Sequence, residues 1–211
     1  MPLDYDFKIQ RDRLTSANAH EIYYEGTPPN GTPIPLKWGT IESGKAYLKM
    51  NGDYLSSDYT NQYESASYMW PSYSQKVKVD RISFSTSTVD LSTPTKTYWD
   101  NRFGYLISRS IYGQCDMTST DGITIETLAD AKRSSGKIRY ASIKVTPYAS
   151  ELEHNNHKIQ LMVHEIGHAL GLGHPNTEYY PVNDESVMRQ GGYPGYYLPR
   201  LHDIDDLKNK Y

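Results

Sequence analysis

The sequence predicts an α+β domain: a mixed, twisted five-stranded sheet, one long two-faced helix and a second helix near the end of the chain. Five short stretches, 45–51, 76–84, 104–110, 123–128 and 138–145, carry the alternation or compact apolar run of β-strands. Residues 155–170 carry a 3.6-residue apolar period, and the last fourteen residues carry another. Strands followed by helices in this way suit an α+β arrangement, and a sheet of L-residues twists. At 211 residues the chain is most simply one domain, large enough to bury about 70% of its unfolded surface.

Residues 1–36 are polar and close on TPPNGTPIP, a stretch suited to turns and extended chain, so they are expected to form an N-terminal arm or propeptide remnant. A short helix is expected near Ile9 to Tyr23, and Asn30-Gly31-Thr32 is a glycosylation sequon, meaningful in a eukaryotic secretory setting. The main domain, 37–211, opens near Trp38. Ala46, Leu48 and Met50 alternate with polar neighbours and end in Asn51-Gly52, which makes the first strand. Ser57-Asp58 can cap a helix running to about Trp70, where Pro71 stops it. In the second strand Val77 and Val79 share one face while Ile82 and Phe84 share the other, so a bulge or break is expected near Asp80-Arg81. Gly104 to Ser110 is the third strand. Ile123 to Leu128 is the fourth, with Ile123 and Ile125 opposite Thr124 and Glu126. Gly136 precedes the fifth, Ile138 to Val145.

The long helix is expected to start at Asn155 or Asn156, both good caps. Ile159, Met162, Val163, Ile166, Ala169 and Leu170 then fall on one side, with His164 and His168 opposite. The two histidines lie in HEIGHALGLGHP, 164–175. Four residues apart, they project one turn above the other and can share a zinc ion at about 2.0–2.1 Å each. Glu165 can reach a water at the same metal, as a general base must. Gly171 suits the left-handed turn that ends a helix, and His174 then returns as a third ligand. Three protein ligands leave a fourth position for water, the mark of a catalytic rather than a structural zinc. From this chain's composition the full HExxHxxGxxH pattern arises by chance in roughly 2 of 100,000 chains of this length, which makes it far more specific than HExxH alone. His154 and His157 lie too far along the helix to join this set and read as solvated loop histidines; His20 and His202 have no partner spacing.

HEIGHALGLGH resembles the long zinc motif of the metzincin metalloproteases, and Ser186-Val187-Met188, with its Met fourteen residues after His174, resembles their Met-turn. LPRLHDIDDLKNKY is similar to the closing helix of the matrixin and serralysin branches. Tyr193-Pro194-Gly195-Tyr196 resembles the Pro-x-Tyr segment that walls the S1′ pocket in matrixins. The resemblance reaches back to about Trp38 and is strongest from 157 onward. Pro175 follows the third His, as in serralysins, yet no calcium-binding nonapeptide repeats follow, and Gln190 stands where astacins and serralysins place a Tyr. The branch therefore stays open.

The resemblance implies a metzincin-like fold, with an N-terminal subdomain to about 174 and a small C-terminal subdomain, 175–211, ending in a helix. It implies zinc on His164, His168 and His174, Glu165 as general base, and Met188 as an apolar floor beneath the metal. Structural calcium is a further expectation. It also implies that the strand before the one leading into the active-site helix forms the substrate-binding edge. We place that edge at Ile123, Thr124, Ile125 and Glu126, and the S1′ wall at Tyr193, Pro194 and Tyr196.

A net charge of −3 and 37% hydrophobic residues give no reason to expect nucleic-acid or membrane-surface binding. The apolar runs are too short to span a membrane, and MPLDYDFK lacks a signal-peptide core. The chain is thus cytosolic or a mature segment, and the resemblance favours secretion. Cys115 is the single cysteine, so no internal disulfide forms; it lacks the flanking residues of the matrixin propeptide switch and reads as a small, half-buried hydrophobe. The 20 tyrosines suit half-buried positions with a polar tip in water. The expected function is zinc-dependent endopeptidase, a hydrolase acting as a monomer on protein or peptide substrates. Two alternatives stand beside it: a catalytically silent zinc-containing binding module, and a zinc hydrolase of a non-peptide substrate.

Overall fold

A computed structural model describes residues 25–26, 34–125, 128–152, 154–174, 186–189 and 193–211. The short pair β1 (Glu25–Gly26) and β2 (Ile34–Pro35) is antiparallel and separate from the main sheet. That sheet has eight strands: β3 (Lys37–Trp38), β4 (Ile41–Glu42), β5 (Lys45–Tyr54), β6 (Val77–Arg81), β7 (Val89–Ser92), β8 (Gly113–Ser119), β9 (Thr124–Ile125) and β10 (Lys137–Val145). The expected sheet of five strands is thus a sheet of eight, of which β5, β6, β7, β8 and β10 exceed two residues, and β7 and β8 stand where the sequence placed no strand. β6 and β7 run parallel to β5, β7 runs parallel to β10, and β8 is antiparallel to β10. The sheet is therefore mixed, as the sequence predicts.

β5 buries Ala46, Leu48 and Met50 on one face, following the alternation. It is joined to β4 by Ser43-Gly44, both at positive φ, as a two-residue type I′ hairpin requires. β6 ends at Arg81, so the register switch seen in the sequence is a break rather than a bulge.

Other elements differ from expectation, each for a physical reason. The stretch 104–110 is not a strand. Gly104 (φ +83°) terminates a helix, α2 (Lys96–Phe103), capped by the Thr95 hydroxyl on the Tyr98 N–H (3.2 Å), and Ser108–Ser110 form a 3₁₀ turn. The third and fourth long strands are instead β7 and β8. The first is four residues with three in a row buried, so it shows no alternation. The second does alternate, but its buried positions include Gly113, Cys115 and Ser119, which have little strand propensity.

The helix expected to stop at Pro71 is α1 (Thr60–Tyr73), which runs two residues past it. It ends where the Ser74 N–H bonds the Trp70 carbonyl (2.8 Å), and Ser57-Asp58 do not cap it. The stretch 123–128 divides between β9 and the next helix, α3 (Leu128–Arg133). The helix expected near Ile9 to Tyr23 and the sequon at Asn30 lie outside the described residues.

The remaining helices are α4 (Asn155–Ala169) and α5 (Leu201–Lys210). One core lies between the sheet and the packed pair α1 and α4, and the Trp70 indole N–H donates to the Val163 carbonyl (2.9 Å) across that pair. Leu36, at the end of the expected arm, is fully buried in this core, as is Trp38. Trp99, Ile111 and Tyr148 form a satellite cluster beneath α2. No helix among the described residues is long and apolar enough to cross a membrane.

A candidate metal centre

The start of α4 is held by His154 rather than by an asparagine: its imidazole Nδ1 accepts the His157 N–H (3.3 Å) as an N-cap oxygen would. His157, expected in solvent, is buried, stacked on Tyr193 and edge-on to Tyr112. From Gln160 through Leu170 every residue is buried, so the histidine face is covered as well as the core face. α4 ends in a Schellman motif: the Gly171 N–H bonds the His168 carbonyl (2.7 Å) and the Leu172 N–H bonds the Gly167 carbonyl (3.0 Å). Gly171 has φ +81°, and a Cβ there would stand 2.2 Å from the Leu36 carbonyl oxygen, so glycine is needed both for conformation and for space.

That turn brings His174 back onto the other two histidines. Their Nε2 atoms are 3.0 Å (164 to 174), 3.1 Å (164 to 168) and 3.1 Å (168 to 174) apart. The Nδ1 atoms of His164 and His168 face the carbonyls of Val187 (2.9 Å) and Leu172 (2.8 Å). A carbonyl only accepts, so both Nδ1 atoms carry the proton and both Nε2 atoms present lone pairs. Burial, and then the neighbouring imidazoles of His168 and His164, pushes the His174 pKa well below the ordinary histidine value. Neutral nitrogens converging at this distance, with at most one proton to share, are stable around a cation.

Three nitrogens bound tetrahedrally to zinc at about 2.0–2.1 Å stand roughly 3.4 Å apart, so each ring would need to swing out only a few tenths of an ångström. The donor set therefore fits zinc. Among the described residues no other group of three His, Cys, Asp or Glu side chains converges in this way, and calcium gains no support.

The floor of the centre is the 186–188 turn. Gly167 lets it approach: a Cβ there would lie 2.2 Å from the Met188 sulfur. The Asp203 carboxylate, fully buried at the start of α5, accepts the Ser186 hydroxyl (2.6 Å), the Val187 N–H (3.0 Å) and the Arg200 N–H (2.7 Å). The Val187 carbonyl in turn accepts His164. The backbone of one residue, Val187, thus links a buried carboxylate to His164. Nothing in the spacing of 186 and 203 reveals this contact in the sequence.

Glu165 is buried and lies against Gly113, the first residue of β8: a Cβ at 113 would stand 2.1 Å from Oε1 and 2.8 Å from Leu161 Cδ1. Gly113 is a site residue the sequence reading missed; its one signal was an isolated glycine in a weakly alternating stretch, which can mark a close approach. Gly113→Ala is expected to displace the Glu165 carboxylate and lower kcat by about 10²-fold while zinc stays bound. Equal kcat in the variant would show that the carboxylate position does not matter.

Tyr193 packs on His154 and His157 at the start of α4, and the Tyr196 hydroxyl donates to the Ser186 carbonyl (3.2 Å). Pro194 sits half-buried between them. This segment therefore spans from the head of the helix to the 186–188 turn. The other expected binding segment, 123–126, is strand over only part of its length. The strand antiparallel to β10 is β8, and only Thr124 and Ile125 of 123–128 are in strand, paired with Thr118 and Met117. Ile123 is half-buried, Thr124 exposed and Ile125 buried, while Glu126 lies outside the described residues.

No protein-family model matches the chain, and no curated protein matches it. Two solved structures similar to it are myroilysin and high choriolytic enzyme 1, a hatching enzyme zinc-protease from Oryzias latipes, the medaka fish. Myroilysin is 10% identical at a TM-score of 0.45, over 81% of this chain and 97% of that one. The hatching enzyme is 12% identical at 0.42, over 82% of this chain and 92% of that one. Likeness at this level leaves the chemistry to be argued from the site itself.

Proposed function

We propose that the protein is a zinc-dependent endopeptidase of metzincin type, with 37–211 as its catalytic domain. The observation that supports this reading is the convergence of His164, His168 and His174 through Nε2, two of them oriented by carbonyls, with Glu165 next to the first. In this reading the three histidines hold zinc, which when bound supplies Lewis acidity toward a carbonyl and acidifies water. Glu165 takes the proton from the attacking water and passes it to the leaving amine. Its buried position against Gly113 keeps the carboxylate from wandering. Met188 provides an apolar floor beneath the three histidines in this reading. A secreted location and a monomeric state belong to the same reading.

Substrate is proposed to lie as an extended strand along the outer side of β8. The Ser119 N–H bonds the Ile123 carbonyl on the β9 side (2.9 Å), and backbone groups alternate along a strand, so residues 113, 115 and 117 face outward as 119 does. β9, with Thr124 and Ile125 and the adjoining Ile123, pairs at the far end; the half beginning at Gly113 lies beside Glu165. Main-chain pairing here would accept many sequences. Selectivity would fall to the segment Tyr193, Pro194 and Tyr196.

A peptide library digested with and without a chelator tests the reading. Cleavage is expected only without chelator, restored by added zinc, and suppressed in peptides N-methylated beside the scissile bond. Metal uptake without cleavage of any peptide would favour the silent module or a non-peptide hydrolase. Indifference to N-methylation would reject the edge strand.

A further inference from the structure

We propose that Lys210 and Tyr211, at the end of α5, are positioning residues for His174. They act on the turn that aims it at the other two histidines. The inference rests on reading the triad as a zinc site and concerns what holds that site in shape.

The turn is Leu170-Gly171, three residues before His174. Its two carbonyls have outside partners. The Tyr211 hydroxyl donates to the Leu170 oxygen (2.8 Å), and the Lys210 ammonium donates to the Gly171 oxygen (2.5 Å). Carbonyls at a helix end lack intrahelical donors, so such bonds supply what the helix cannot. Tyr211 is itself pinned: its hydroxyl accepts the Trp38 N–H (2.6 Å), and its carbonyl oxygen accepts the Lys76 ammonium (2.6 Å). The hydroxyl thus uses its one proton on Leu170 and a lone pair on Trp38, leaving a single orientation. Trp38 belongs to β3, which pairs with β10, so the turn is referenced to the sheet as well as to α5. On its remaining side the Leu36 carbonyl occupies the space a Cβ at 171 would need.

The turn and the Lys210 side chain are buried, and Tyr211 is half-buried over them. Lys210 is 8% exposed, and residues 170–174 are all buried. A buried ammonium is costly unless bonded, which makes the position of Lys210 specific rather than incidental. Two ligands depend on this turn. His174 follows it, and the carbonyl of Leu172, the next residue, fixes the His168 tautomer. Ligands must be held to about half an ångström for tight metal binding, and partners outside the first ring of contacts commonly set affinity.

The test is zinc affinity, by competition with a chromophoric chelator, together with the visible spectrum of cobalt-substituted protein. Both are compared among wild type, Tyr211→Phe and Lys210→Met, with circular dichroism as the control for folding. Each folded variant is expected to bind zinc roughly 10-fold or more weakly and to show a changed cobalt d–d band. Tyr211→Phe keeps the ring and removes one hydroxyl, so it decides the matter if Lys210→Met does not fold. Folded variants with wild-type affinity and an unchanged cobalt spectrum would overturn the proposal, even if they melt at lower temperature. A wild-type protein that takes up neither metal would instead overturn the reading on which it rests.

Discussion

Glu165→Gln is expected to retain about one zinc per chain and to lose at least ~10²-fold in turnover. The amide has the shape of the carboxylate and fits the same space against Gly113, so the fold and the three histidines should not feel the change. What it lacks is the capacity to take a proton. The loss should therefore appear in kcat, with KM nearly unchanged, since a group that acts on the reacting water contributes little to holding the peptide. Steady-state kinetics on one fluorogenic peptide, with zinc content measured on the same sample, makes the comparison. Turnover near the wild-type rate would remove Glu165 from the proposed base role.

Asp203→Ala should have the largest effect on stability. The carboxylate is fully buried and receives three donors, two of them backbone N–H groups. Hydrogen bonds to a charged acceptor contribute about 1.5–3 kcal/mol each, and stranded buried donors carry their own desolvation cost. A loss of about 3–5 kcal/mol in unfolding free energy is therefore expected, read from urea titrations of the metal-free protein. Because the N–H and carbonyl of Val187 join Asp203 to His164, zinc affinity should fall as well. A destabilisation under about 1 kcal/mol would mean that the turn at 186–188 is held by packing alone.

How far the site could be read from the sequence follows from the range of the interactions involved. His164, His168 and His174 were legible because a helix and a glycine turn relate them within eleven residues, a spacing that can be read without knowing what else holds the turn. Met188 was singled out by resemblance, and the structure sets its sulfur against Gly167 of α4. Gly113 and Asp203 were not legible, since their partners lie 52 and 16–17 residues away and neither carries a local pattern. In the sheet, β5 and β10 were placed by ordinary alternation of large apolar residues. β8 was missed because glycine, cysteine and serine fill inward positions that usually hold valine or isoleucine, and the apolar ITIETL nearby read as the better strand. The proposed substrate edge accordingly lies along β8, with 123–125 only at its far end. Pro71 misled for a different reason: it removes one intrahelical bond, but α1 continues two residues past it and ends at Tyr73.

The central claim is that three histidines converge to hold one zinc. Elemental analysis of the purified protein after dialysis against zinc tests it most directly, with the variant carrying His164→Ala, His168→Ala and His174→Ala treated in parallel. The account predicts about one zinc per wild-type chain and essentially none in the triple variant. A wild-type chain that holds no zinc after dialysis, or a triple variant that still holds one, would contradict it.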